Sequence, residues 1–315
     1  MTHRALSGIV AAPFLPMLPD HGIDWDGLGP YIRWIAEQRP TAIAMNMDAS
    51  EGLSLTRPEQ LEVVRFCRAA IGGRVPLYSG LICNSTRDAV AFGRELKAAG
   101  AEGLAVFPPL PVFLNTPIPL EMMLDFHKSI ADGVDLPIVG FQFPIGMGPD
   151  FTPAIMTAMA ESIPQLVGIK EASFDLLHTV QSIEARRRLK RPIGIMTGSD
   201  TFILEAFLIG CDGALIGFAG TATDQLIRMQ AAAASGDYPT AYAIWDRLGP
   251  LARFCWRPPI RDYRPRMKEV LVMEGRFAHA TCRPPQPPVD DAERAELRRL
   301  AAHAGLLQPA LAAAE

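Results

Sequence analysis

Short, continuous apolar runs alternate along the chain with longer stretches in which apolar residues recur every three or four positions. The runs cover residues 8–12, 42–47, 76–79, 103–107, 137–142, 166–170, 193–197 and 213–217. They are unbroken rather than alternating, which fits strands buried on both faces of a parallel sheet. Helix signals fall between them. Thr56-Arg57-Pro58-Glu59 reads as a capping box that opens a helix to residue 70. Ser85 is placed to cap a second helix, which ends at Ala99-Gly100. Asp175 starts a third, running into the basic stretch 186–188, which suits a helix C-terminus. Eight strand–helix units are complete by about residue 234, and eight consecutive units predict a closed (β/α)8 TIM barrel. A doubly wound sheet usually carries a glycine-rich fingerprint after its first strand; here that place holds Ala11-Ala12-Pro13-Phe14. Further helices are predicted over 239–255, 265–274 and 291–304, with Arg283-Pro284-Pro285-Gln286-Pro287-Pro288 as an extended link. The expected division is a barrel over 1–234, a C-terminal helical extension packed on it over 235–306, and a loose tail over 307–315.

Composition narrows the function classes. The 315 residues are 49 % hydrophobic and 20 % charged, with a net charge of −4. That suits a large buried core and argues against a nucleic-acid partner, which needs a basic face. The uncharged stretch 104–120 contains five prolines, so no membrane span is expected there. Residues 5–18 are apolar after Arg4, but Pro13 and Pro16 interrupt them, so a buried first strand is expected rather than a secretory signal. Five scattered cysteines, an odd number, predict reduced thiols in a cytoplasmic protein.

Active groups of such barrels lie at the C-terminal ends of the strands. Strand two leads into Asn46-Met47-Asp48-Ala49-Ser50-Glu51, strand five ends in Phe141-Gln142-Phe143-Pro144, and strand six in Lys170-Glu171-Ala172-Ser173. Strand seven ends in Thr197-Gly198-Ser199-Asp200 and strand eight in Gly217-Phe218-Ala219-Gly220. Lys170 closes an apolar run and by period two shares a face with Leu166 and Gly168. If that face looks into the barrel, desolvation lowers the lysine pKa, and a neutral amine can attack a ketone to form a Schiff base. The plainer alternative is a strand-end lysine paired with Glu171 or Asp200. Asp48 and Glu51 are candidate acid–base carboxylates, although Glu51 equally suits capping a helix or orienting its loop. Other motifs are weak. His279 and Cys282 have no second pair of ligands, so no metal site is expected. Residues 217–220 could seat a phosphate, but no basic residue is close in sequence. His127 and His178 fall in helix patterns and are expected at the surface.

These residues resemble the dihydrodipicolinate synthase / N-acetylneuraminate lyase family of Schiff-base aldolases, from about residue 8 to 306. Val167-Gly168-Ile169-Lys170-Glu171-Ala172-Ser173 is similar to its strand-six lysine motif, and Asn84-Ser85-Thr86 to its helix start after strand three. Gly210-Cys211-Asp212-Gly213 resembles its turn before strand eight, and Glu51 with Leu55-Thr56 its segment after strand two. The resemblance implies an imine between Lys170 and pyruvate or another 2-oxo acid, no cofactor or metal, and a homo-oligomer, dimer or tetramer. The implied substrate contacts are Ala49, Ser50, Phe141, Gly198 and Ile216, with Glu51 orienting the loop.

Departures from the family pattern shape the expected reaction. Its Gly-Thr-Thr-Gly-Glu is here Met47-Asp48-Ala49-Ser50-Glu51, so both threonines are missing, although the Asp48 and Ala49 N–H groups can still hold a carboxylate. Its strand-five tyrosine is Phe141, which cannot relay a proton. The arginine that follows in the synthase branch is absent from Ile145-Gly146-Met147, and its Tyr-Tyr after strand four is Leu110-Pro111. These changes argue against true dihydrodipicolinate synthesis. Asp48 is expected to replace the threonine–tyrosine relay as general acid/base, its pKa raised in an apolar pocket so that it shares a proton with Lys170. Met45, Met47, Phe141 and Phe143 predict a pocket for an apolar or aromatic aldehyde fragment. The expected function is a Schiff-base lyase performing aldol cleavage or condensation, with dehydration next. The alternatives are synthase-type condensation, a non-catalytic barrel that binds a 2-oxo acid, and a phosphate-binding barrel enzyme.

Overall fold

A computed structural model describes residues 3–109, 118–148 and 151–307. Eight parallel strands close into a barrel in sequence order, with β1 (Gly8–Ala11) hydrogen-bonded to both β2 (Ala42–Met45) and β8 (Gly213–Ile216). Between these lie β3 (Leu77–Leu81), β4 (Gly103–Val106), β5 (Ile138–Gln142), β6 (Leu166–Glu171) and β7 (Gly194–Thr197). Nearly every strand residue is buried, as unbroken apolar runs require when helices cover the outside and side chains fill the inside. No helix among the described residues is long and apolar enough to cross a membrane.

The helices begin and end where local chemistry places them. The Thr56/Glu59 capping box opens α2 (Arg57–Ile71). Ser85 caps α3 (Thr86–Ala99), which stops at Gly100 in the left-handed conformation. Asp175 caps α6 (Leu176–Arg187) by accepting from the His178 N–H at 2.7 Å. The ring is completed by α1 (Trp25–Glu37), α4 (Leu120–Val134), α5 (Pro153–Ser162), α7 (Ile203–Ile209) and α8 (Ala219–Ser235). Three C-terminal helices follow, α9 (Tyr238–Cys255), α10 (Tyr263–Met273) and α11 (Asp291–His303). Helix α9 packs on α8, and α11 packs on α9 and α10.

Several expectations need correction. Strand two stops at Met45, because Asn46 adopts a positive φ of 55° and turns the chain. Gly80 on β3 makes room for that turn: a Cβ there would lie 2.1 Å from the Asn46 carbonyl oxygen. Helix α10 starts two residues before the expected Pro265, because proline is tolerated in a first turn. Tyr263 and Arg264 are thereby placed on a helix. His127 is fully buried rather than at the surface, bonded through Nδ1 to the Met123 carbonyl at 2.8 Å. His178 is mostly buried, its Nδ1 2.9 Å from Glu171 Oε2. Leu110-Pro111 and residues 308–315 of the expected tail lie outside the described residues, whereas Leu307 packs against the core.

Candidate active site

Lys170 is the penultimate residue of β6, paired in register with Phe141 on β5 and Met196 on β7. Alternation along the strand separates it from Glu171. The Glu171 carboxylate accepts from the Ser182 hydroxyl at 3.1 Å and the Ser173 N–H at 3.0 Å, and it meets His178 on α6. Glu171 is therefore fully occupied away from the mouth, which removes one expected partner of the lysine. Lys170 is 8 % exposed, and its Nζ sits 4.4 Å from the Phe141 ring centroid. It forms no hydrogen bond or ion pair with any described residue. Gly198 at the end of β7 makes space for the stem: a Cβ there would lie 2.9 Å from Lys170 Cε and 2.7 Å from Ala172 Cβ.

Among carboxylates, Asp200 acts most strongly on the Lys170 charge. Its carboxylate is buried and accepts from the Phe218 N–H at 2.8 Å, at the start of α8. Burial pushes the Asp200 pKa above the usual carboxylate value, against the pull of that N–H and of Lys170. Burial likewise lowers the Lys170 pKa, opposed by Asp200 and then Asp48. The two shifts run toward each other, so amine and carboxyl compete closely for a proton. The sequence predicts a raised carboxyl pKa beside the lysine at Asp48; a buried carboxyl with a raised pKa stands at Asp200. The sequence offers Asp200 only as a pairing partner of the lysine; its place three residues past β7 is the signal for a larger part. The same carboxyl takes the Phe218 N–H in the turn considered as a phosphate seat.

Asp48 stands at the rim, not in an apolar pocket. Its Oδ2 accepts from the Tyr263 hydroxyl at 2.8 Å and its Oδ1 from Arg264 Nη1 at 2.8 Å, both from α10. Neither the Asp48 nor the Ala49 N–H donates to a described residue, so both remain able to receive an anion. Ser50 uses its hydroxyl on its own turn, accepting from the Met47 N–H at 2.9 Å. Glu51 does not cap the short 3-10 turn that follows it (Gly52–Ser54). Its carboxylate instead takes the buried Lys268 ammonium and the Arg283 N–H, at 2.9 Å for the latter. Ile216 is fully buried at the end of β8, its carbonyl accepting from the Ala12 N–H at 3.1 Å.

The apolar wall is aromatic. Phe107 stacks on Phe141 with centroids 4.1 Å apart, and Phe143 packs against Phe141 at 4.9 Å. Met45 and Met47, expected to line the pocket, have no exposed surface and belong to the core. Phe107 was missed because it lies just beyond β4, in a segment without other chemical signal. No group of three or more metal-binding side chains is present among the described residues.

The chain is similar to known proteins over nearly its whole length. A profile of the dihydrodipicolinate synthetase family matches residues 5–304. The chain is 28 % identical over 309 residues to a 4-hydroxy-tetrahydrodipicolinate synthase of Gluconacetobacter diazotrophicus, covering 98 % of this chain and 100 % of that one. It is 31 % identical over 248 residues to a protein of the same name from Methanospirillum hungatei, covering 78 % and 82 %. The crystal structure of the dihydrodipicolinate synthase from Acinetobacter baumannii complexed with pyruvate superposes with a TM-score of 0.85 at 26 % identity, covering 96 % of this chain and 100 % of that one.

Proposed function

The chain belongs to the dihydrodipicolinate synthetase family and is a lyase of the class I aldolase type, and from that premise we propose that Lys170 captures pyruvate or another 2-oxo acid as an imine. The carrying observation is a buried amine, unpaired among the described residues, beside a buried carboxyl whose pKa is raised. The neutral Lys170 amine adds to the C2 carbonyl. Asp200, in its protonated form, gives its proton to the departing hydroxyl, water leaves, and an iminium faces the new Asp200 carboxylate. The iminium then draws electrons from C3, so a C3 proton is lost or a C3–C4 bond breaks to give an enamine. Protonation or addition to an aldehyde, followed by hydrolysis, returns the amine. No cofactor enters this sequence. The Asp48 and Ala49 N–H groups would receive the substrate carboxylate, and Asp48 would serve as general acid/base at the rim.

Aldol cleavage or condensation is favoured over true dihydrodipicolinate synthesis, because Phe141 offers no hydroxyl and residues 145–147 no cation. The wall of Phe107, Phe141 and Phe143 supports an apolar or aromatic aldehyde as the second fragment. Exposed Ile145, Met147, Leu176 and Leu177 beside the mouth support self-association into a dimer or tetramer. A cytoplasmic location completes the reading, in keeping with five free cysteines. The test is reductive trapping. Incubation with pyruvate and borohydride should add one reduced pyruvate to the peptide containing Lys170. No adduct with any of a panel of 2-oxo acids would leave a binding barrel in place of the enzyme.

A further inference from the structure

Tyr263 and Arg264 lie 215 and 216 residues from Asp48 in sequence, yet each donates to one of its carboxylate oxygens at 2.8 Å. Both are in the first turn of α10, outside the barrel's own strand–helix units. The Tyr263 ring is held rigidly. It stacks on Trp256 at 4.9 Å with planes 19° apart and meets Phe14 edge-on at 6.1 Å. Trp256 and Phe14 in turn fill the space above Gly217, at the end of β8 beside Asp200. Arg264 is braced by Gln286 of the proline-rich link, with Nη2 to Oε1 at 3.4 Å, and Gln286 donates to Asp262 at 3.0 Å. Burial and the adjacent Asp48 carboxylate raise the Tyr263 pKa, so its hydroxyl stays a donor. Lys170 feels the charge of Asp48, and Tyr263 that of Asp200, so the four groups form one electrostatic cluster.

We infer that the C-terminal helices complete the reaction site: Tyr263 is a positioning residue that acts through Asp48, returning to the barrel mouth the hydroxyl that β5 lacks at Phe141. This rests on the Schiff-base reading. With both oxygens anchored, the Asp48 carboxylate is held in a single orientation within range of the Lys170 charge. It removes the C3 proton to give the enamine and returns a proton to the same carbon. The acid and base are one carboxylate, and no outside reactant is needed. The competing account is that Asp48 only satisfies a buried tyrosine hydroxyl.

Exchange of the pyruvate C3 hydrogens in D2O, followed by proton NMR, separates the two. It needs no knowledge of the natural aldehyde. In Tyr263→Phe the ring packing is kept. Exchange kcat should fall about tenfold or more while KM for pyruvate and borohydride trapping on Lys170 stay within about twofold. The loss should be absent from Tyr263→Phe added to Asp48→Asn, since both act on one step. Should Tyr263→Phe lower the melting temperature, Arg264→Gln, nearer solvent, is expected to show the same kcat loss. Exchange within twofold of the parent, additive losses, or a parent that traps pyruvate without exchanging its protons would overturn the inference. Failure of trapping in the parent would instead defeat the Schiff-base reading.

Discussion

Two buried lysines sit near carboxylates in this molecule, and their surroundings differ in hydrogen-bond satisfaction. Lys268 on α10 is fully buried. Its Nζ donates to Glu51 and to the Thr281 carbonyl at 2.7 Å, while the other Glu51 oxygen takes the Arg283 N–H. That ammonium has fixed acceptors, and the pair ties the loop after β2 to the C-terminal helices. Lys170 has an aromatic face beneath it, a carboxyl nearby, and no hydrogen bond among the described residues. A charged ammonium loses more there than it regains, so the proton is weakly held. Burial alone does not make a lysine reactive. Burial without acceptors does.

The contrast can be broken from either side. Lys170→Met should reduce turnover on the order of 10³-fold or more and abolish the adduct without loss of stability, because no hydrogen-bond partner is orphaned. Lys268→Met should do the reverse. It strips the buried Glu51 side chain of its Lys268 partner, costs about 3–5 kcal/mol in a denaturant titration, and leaves Lys170 able to form its adduct wherever the protein remains folded. Gly198→Ala pushes a methyl against Lys170 Cε and Ala172 Cβ. It should cost about 1–3 kcal/mol by the same titration and slow trapping by tilting the amine. Asp200→Asn removes the charge that props up the Lys170 proton. The lysine pKa, already lowered, falls further, so the rising limb of trapping against pH should move down by roughly one unit. Its plateau should drop because the proton donor for water loss is gone.

What the sequence disclosed tracks how local each cause is. The strand runs, capping residues and glycine stops act within a few positions, and they predicted the barrel with boundaries mostly within two residues. Lys170 was legible because strand position, period two and an apolar run all act on one residue. A carboxyl competing with that lysine for a proton is also predicted from the sequence, at Asp48, and Asp200 is a second candidate that burial brings in. The choice between Asp48 and Asp200 depends on burial, and burial at a barrel mouth is set by side chains from several strands at once. Tyr263 and Arg264 were invisible for the same reason, compounded by a helix that begins before its proline. His127 shows the limit in another form: an apolar helix pattern places a residue on a face, but not which face is covered.

The central claim is that the Lys170 amine is uncharged often enough to capture a carbonyl carbon. The direct measurement is the pH dependence of the rate of pyruvate trapping at Lys170, followed by peptide mass. A rise with its midpoint well below the ordinary lysine value of about 10.4, confined to that one side chain, is the predicted result. A midpoint at or above that value, or label distributed over other lysines with Lys170 unmodified, would contradict the account.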